Sequence, residues 1–147
     1  MQSWLPTLTI VGLAVVAVLV WLYLRARRQD VFAALEKKRQ QSGAKLVSRA
    51  EYVEPMERVP VVFTLTGDTF FYENEDLDAS FDLDRIDEIE YDDELATGKA
   101  LANGCRSLRL RSHGATFEFV LSPNDCGKWM ATLPPHRLGQ PPLAAAQ

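Results

Sequence analysis

The chain has 147 residues, of which 47% are hydrophobic and 24% charged, and a formal net charge of −4. That length holds one ordinary domain, and a near-neutral charge with no basic footprint argues against a nucleic-acid partner. The mean hides a split: from Arg25 to Arg49 eight cations face two acids, whereas after Arg49 eighteen acids face eight cations, so a basic piece precedes an acidic one.

Residues 4–24 read WLPTLTIVGLAVVAVLVWLYL, with no charge. At about 1.5 Å per residue they cover roughly 30 Å, the thickness of a bilayer's hydrocarbon core. Trp4 at one end and Trp21 with Tyr23 at the other sit where amphipathic rings prefer the headgroup boundary. Pro6 falls in the first turn, where its missing N–H does no harm. Residues 1–24 are therefore expected to form a transmembrane helix. A cleaved signal peptide is the competing reading, but no cation precedes the apolar run and LYLRARRQ offers no small-x-small cleavage site. Arg25, Arg27 and Arg28 directly after the run predict a single-pass protein with its N-terminus outside and its C-terminal domain cytoplasmic; the membrane expected is a bacterial-type inner (plasma) membrane.

Residues 25–43 form the basic connector. Good helix formers continue to Gln41, and Ser42-Gly43 is a plausible stop. Val31, Phe32 and Leu35 give a short apolar stripe, and Lys37, Lys38 and Arg39 are placed to meet anionic headgroups. The simpler expectation is a solvated stalk.

From residue 44 to 134 the apolar period changes to two, the mark of strands. AKLVSRAEYV, VPVVFTLT and TFFYEN are the first three, with Gly67-Asp68 turning between the second and third. DLDASFDL, residues 76–83, puts Leu77, Ala79, Phe81 and Leu83 on one face and Asp76, Asp78, Ser80, Asp82 and Asp84 on the other side. After a turn or bulge at Asp84-Arg85 comes EIEYD, and then DELATGKALANGC, small and polar, reads as loop. Leu108 and Leu110 pair with Phe117, Phe119 and Leu121 across His113-Gly114. Ser122-Pro123-Asn124-Asp125 starts a helix with Cys126, Trp129, Met130 and Leu133 on one face. Pro134-Pro135 ends it, and residues 135–147 are expected to be a disordered tail.

The fold class expected is mainly β, with one C-terminal helix and an N-terminal transmembrane helix. Seven short antiparallel strands, the FDLDRIDEIE stretch and a closing helix bearing Trp129 resemble the pleckstrin-homology-like superfold, and bacterial PH and GRAM-type domains look similar. A lipocalin-like barrel or another small β sandwich shares the pattern. The resemblance implies a bent sheet or partial barrel whose open end the helix plugs. It also implies that lipid headgroups are read by clustered cations near the first inter-strand loop. Here that loop is EPMER, in which Glu54 and Glu57 outweigh Arg58, so headgroup reading by the domain is disfavoured.

No spacing points to catalysis, and no enzyme activity or cofactor is expected. The acids from Glu73 to Glu94 invite a calcium reading with Asp76, Asp78, Ser80, Asp82, Asp84 and Asp87 as ligands. Phe81 stands where such a loop needs glycine, and alternation makes a solvated strand face the better reading. Cys105 and Cys126 lack metal-ligand spacing; they are expected to be reduced in a cytoplasmic domain and disulfide-bonded if the topology is reversed. His113 and His136 have no nucleophile at a telling spacing. The expectation left is a membrane-tethered protein-interaction or scaffold module. Its candidate surface is Asp76, Asp78, Asp82, Asp84, Arg109 and Arg111, facing an unknown protein partner, a basic one or a second copy; ordinary cross-strand pairing is the simpler role for the two arginines. The alternative is a sensory or ligand-binding module accepting a small apolar molecule or lipid.

Overall fold

The computed structural model describes residues 4–137 and 139, with side chains from residue 9 onward. One continuous helix, α1 (Trp4–Gln41), joins the apolar run to the basic connector. Its stretch from Thr9 is long and apolar enough to cross a membrane, and the apolar part is exposed throughout. Ser42 and Gly43 end it as expected, Gly43 at φ +81°, a conformation that glycine reaches without a Cβ clash.

Seven antiparallel strands follow: β1 (Leu46–Val53), β2 (Arg58–Thr66), β3 (Thr69–Glu73), β4 (Asp78–Asp82), β5 (Glu88–Asp92), β6 (Arg106–Ser112) and β7 (Ala115–Leu121). The chain ends its regular structure in α2 (Pro123–Thr132). The sheet order is β4-β3-β2-β1-β7-β6-β5. Both two-residue turns form where glycine marks them: Gly67 takes φ +59°, and His113-Gly114 takes +50° and +83°, the left-handed pair that a hairpin turn of the primed type requires.

The sheet bends at β1. This strand pairs with β2 along its whole length but with β7 only over Ala50–Tyr52. The freed half of β1 leaves an opening that α2 fills. Trp129 enters it fully buried, stacks on Phe63 at 4.4 Å and donates its indole N–H to Ser48 Oγ at 2.9 Å. Phe81 of β4 stacks on Phe117 of β7 at 5.2 Å, so side chains from far-apart strands meet in one core. Ser122 caps α2 by accepting from the Asp125 N–H, with Pro123 at the first turn.

Two local expectations change and one, the turn or bulge before β5, is met. The strand expected over 76–83 is shorter, because the Asn74 side-chain oxygen accepts from the amides of Asp76 and Leu77, both at 2.8 Å, and so diverts them from the ladder. The break at 84–85 is a single 3-10 turn, Leu83–Arg85. The chain also stays with the domain past residue 135: His136 and Ile89 exchange backbone hydrogen bonds at 2.7 and 2.9 Å, while most of the expected tail lies outside the described residues.

Candidate functional site

The expected solvated stalk is replaced by a docked helix. In α1, Val31, Phe32, Leu35, Glu36 and Arg39 are partly buried while their neighbours are exposed, which is one helical face at i, i+4 and i+8. That face lies on the outer side of β1, β2 and β3. It explains β2, whose residues Val61 to Leu65 are all buried although they alternate sides. Val61, Phe63 and Leu65 enter the core inside the bend, and Val62 and Thr64 are covered from outside.

Two arginines fasten this contact. Arg39 donates from Nε and Nη2 to Glu73 Oε2, the former at 2.7 Å, and its guanidinium lies 4.0 Å from the centre of the Phe71 ring. The Glu73 side chain is 4% exposed and that of Arg39 15%, so each supplies the charge that the other needs in order to be buried. Asp78 is the residue directly opposite Glu73 on β4, a like-charge neighbour that would oppose the pairing without Arg39. On β1, Arg49 makes a two-pronged bond to Glu36 at 2.8 and 3.1 Å with Phe32 nearby. The carboxylate of Glu36 holds the Arg49 guanidinium above its ordinary pKa, against a smaller opposing effect of burial.

The outer side of the other half of the sheet is closed differently. Arg109 on β6 reaches Glu118 at 2.9 Å, Asp92 at 3.0 Å and Glu90 at 3.2 Å. Glu118 is nearly unexposed and also accepts from Ser107 Oγ at 2.6 Å and from the Ala96 N–H at 3.0 Å. The last bond ties down the segment expected to be plain loop, where Leu95 is buried and Glu94 bridges to Ala100. Arg111 pairs with Glu88 at 2.6 Å. The two arginines of the expected interaction strip therefore have partners on adjacent strands. Sequence reading missed Glu118 and Glu73 as buried carboxylates; the signal was an acid at an outward position of a strand otherwise rich in apolar residues.

The acids of the strip divide. Asp82 accepts from Thr69 Oγ1 at 3.1 Å and lies 3.7 Å from Arg85. Asp76, Asp78 and Asp84 are exposed and make no ion pair among the described residues. Asp78, Ser80 and Asp82 alternate with core-facing Ala79 and Phe81 on an extended strand, a geometry that spreads carboxylates rather than wrapping them round an ion. Among the described residues, no three His, Cys, Asp or Glu side chains converge to hold a metal. Cys105 and Cys126 are free thiols, and burial pushes Cys126 above its ordinary pKa, with a smaller opposing pull from Arg106. His113 sits in the hairpin turn, where its backbone N–H donates to Asp87. Trp21, Tyr23 and the arginines 25, 27 and 28 all lie on the exposed part of α1; the side chain of Trp4 is outside the described residues. No protein-family model, curated protein or solved structure matches the chain.

Proposed function

We propose that the chain is a membrane-tethered protein-interaction or scaffold module without catalytic activity. Its domain is PH-like, stands on the cytoplasmic side of a bacterial-type inner membrane, and offers an acidic strand to a basic protein partner. The observation that carries the reading is the docked end of α1: the helix that leaves the apolar run is the same one that Arg39 and Glu36 fasten to the sheet. Such a helix holds a domain at a set distance and angle from the bilayer, as a scaffold requires. Asp76, Asp78 and Asp84 support the partner's sign, since they alone of the strip's acids keep their charge without a cation or a hydroxyl donor beside it. The PH-like reading draws on the sheet order and on Trp129 plugging the opening. The cytoplasmic side draws on Arg25, Arg27 and Arg28.

Crosslinking in native membranes tests this reading. The full chain is expected to yield a discrete adduct that is lost in the triple variant Asp76→Asn, Asp78→Asn, Asp84→Asn. An adduct pattern that survives the triple variant and is lost only on removing the apolar run would place recognition in the membrane segment instead.

The second reading, a sensory or ligand-binding module for a small apolar molecule or lipid, draws on a surface cleft of about 420 Å³ between β1, β2 and the segment before β6. Ala50, Pro60, Leu101, Val120 and Leu121 line it, within the size range of small-molecule sites. The opening of the bent sheet is occupied by Trp129 and Leu133, so this reading rests on the cleft. Displacement of a fluorescent fatty acid from the full chain, abolished by Ala50→Trp, is the expected result under this reading.

A further inference from the structure

Outside α1, a single large apolar side chain is strongly exposed among the described residues: Met56, at 96%. An isolated exposed methionine is ordinary on a protein surface. Its position is what gives it meaning. After the turn at Ser42-Gly43 the chain reverses, and β1 runs back along α1 toward the apolar run. The Glu36–Arg49 pair fixes that direction midway. Farther along, Arg28, Val31 and Phe32 line one cleft with Glu57, Arg58, Val59 and Pro60 of the β1–β2 hairpin and with Asn74, Glu75 and Asp76 of the next turn.

The heights follow from helix rise. Arg28 and Phe32 stand four and eight residues beyond Leu24, about 6 and 12 Å past the end of the apolar run. Arg58 is paired with Val53, and the Glu54–Glu57 turn projects past that pair, so its tip lies lower still. A headgroup layer is roughly 5–8 Å deep on each side of the hydrocarbon. The tip of the hairpin therefore falls within it.

We infer that Met56 is a second membrane contact, inserted into the lipid interface of the leaflet from which α1 emerges. The inference rests on the reading of α1 as a membrane span. The partner is the bilayer surface itself, recognised by apolar burial and not by headgroup charge. At this level Arg25, Arg27, Arg28 and Arg58 stand with Asp30, Glu54, Glu57, Glu75 and Asp76, four cations with five acids, so the rim neither draws nor repels an anionic leaflet strongly. The acidity of the whole domain, which argues against headgroup binding, lies mostly farther along the sheet. The hairpin reaches the interface because Arg39 and Glu36 hold α1 against the strands; Met56 then resists tilting of the domain away from the bilayer.

Site-specific photocrosslinking with the full chain in phosphatidylcholine vesicles tests this. A diazirine-bearing amino acid is placed at Met56, at Val16 within the apolar run, or at Asp68, in the turn at the opposite end of β2. Lipid adducts are expected at 56 and 16, with about tenfold fewer at 68, the bias that burying one methionine side chain supports. Adducts at 56 as scarce as at 68, with 16 still labelled, would overturn the contact and leave the span intact. Absence of adducts at 16 would overturn the span and the contact together. Adding phosphatidylglycerol should leave the yield at 56 unchanged; a steep rise would replace apolar insertion by headgroup recognition. In an Arg39→Ala background the yield at 56 should fall, and an undiminished yield would overturn the claim that the docked helix sets the pose.

Discussion

The two halves of the sheet close their outer faces with the same device and from opposite distances along the chain. In each, an arginine 15% exposed reaches a glutamate that is almost wholly buried. Arg109 is 9 residues from Glu118 on the neighbouring strand, whereas Arg39 is 34 residues from Glu73 and arrives on a separate helix. A pair built within one hairpin is part of the sheet's own cooperativity. A pair that spans two elements can open while each element survives. The difference teaches that the β5–β7 side is a structural lock and the β1–β3 side a coupling between the long apolar helix and the domain.

Removing the arginine on each side separates the two roles. Arg109→Ala should have the largest effect, about 3–5 kcal/mol of lost stability, because Glu118 is left charged inside a sheet that cannot let water in without unpairing. Denaturant unfolding of the full chain in detergent checks it, and a loss no larger than that of Arg39→Ala would erase the distinction. Arg39→Ala should cost less, about 1–3 kcal/mol, since the helix can lift and let Glu73 rehydrate. Its signature is local: amide exchange should quicken over residues 28–41 and stay slow in β6 and β7.

The remaining two predictions sharpen the comparison within each half. On the β5 side, Tyr91 donates to the Leu133 carbonyl at 2.8 Å, and burial, with a smaller contribution from Cys126, holds its phenol above the ordinary tyrosine range. A raised folded pKa means the contribution is fully present below the unfolded value near pH 10 and is lost as pH rises beyond it, at about 1.4 kcal/mol per pH unit. Stability measured from pH 9 to 11 should bend downward accordingly, and Tyr91→Phe should flatten the bend. On the helix side, Glu36→Gln weakens a pair whose members are 25% and 49% exposed. It should cost only about 0.2–1 kcal/mol and become undetectable at high salt. A larger loss would make Glu36 an equal partner of Arg39 in holding the helix.

Much of this architecture could be read along the chain because it depends on neighbours in sequence. Alternation in SLRLRS and ATFEFVL, glycine at 67 and 114, and the Ser122-Pro123 cap each act within a few residues, and each element formed where they placed it. The same holds for the uncharged run that begins α1. The candidate acidic strand was legible as an outward face, but not which acids keep their charge unpaired, since Asp82 meets Thr69 only through the register of β3 with β4.

The residue order by itself determined a long apolar helix, seven alternating strands and a closing helix, because hydrophobic period and turn chemistry are local properties of the polypeptide. Only the tertiary structure decided that the sheet folds back against α1, that Glu73 and Glu118 are buried, and that Glu57 and Arg58 of the β1–β2 hairpin share a cleft with Arg28 and Phe32 of the helix. Those facts depend on which face meets which across dozens of residues. Burying a carboxylate is favourable only when a guanidinium arrives from elsewhere to meet it, and no local pattern records that arrival.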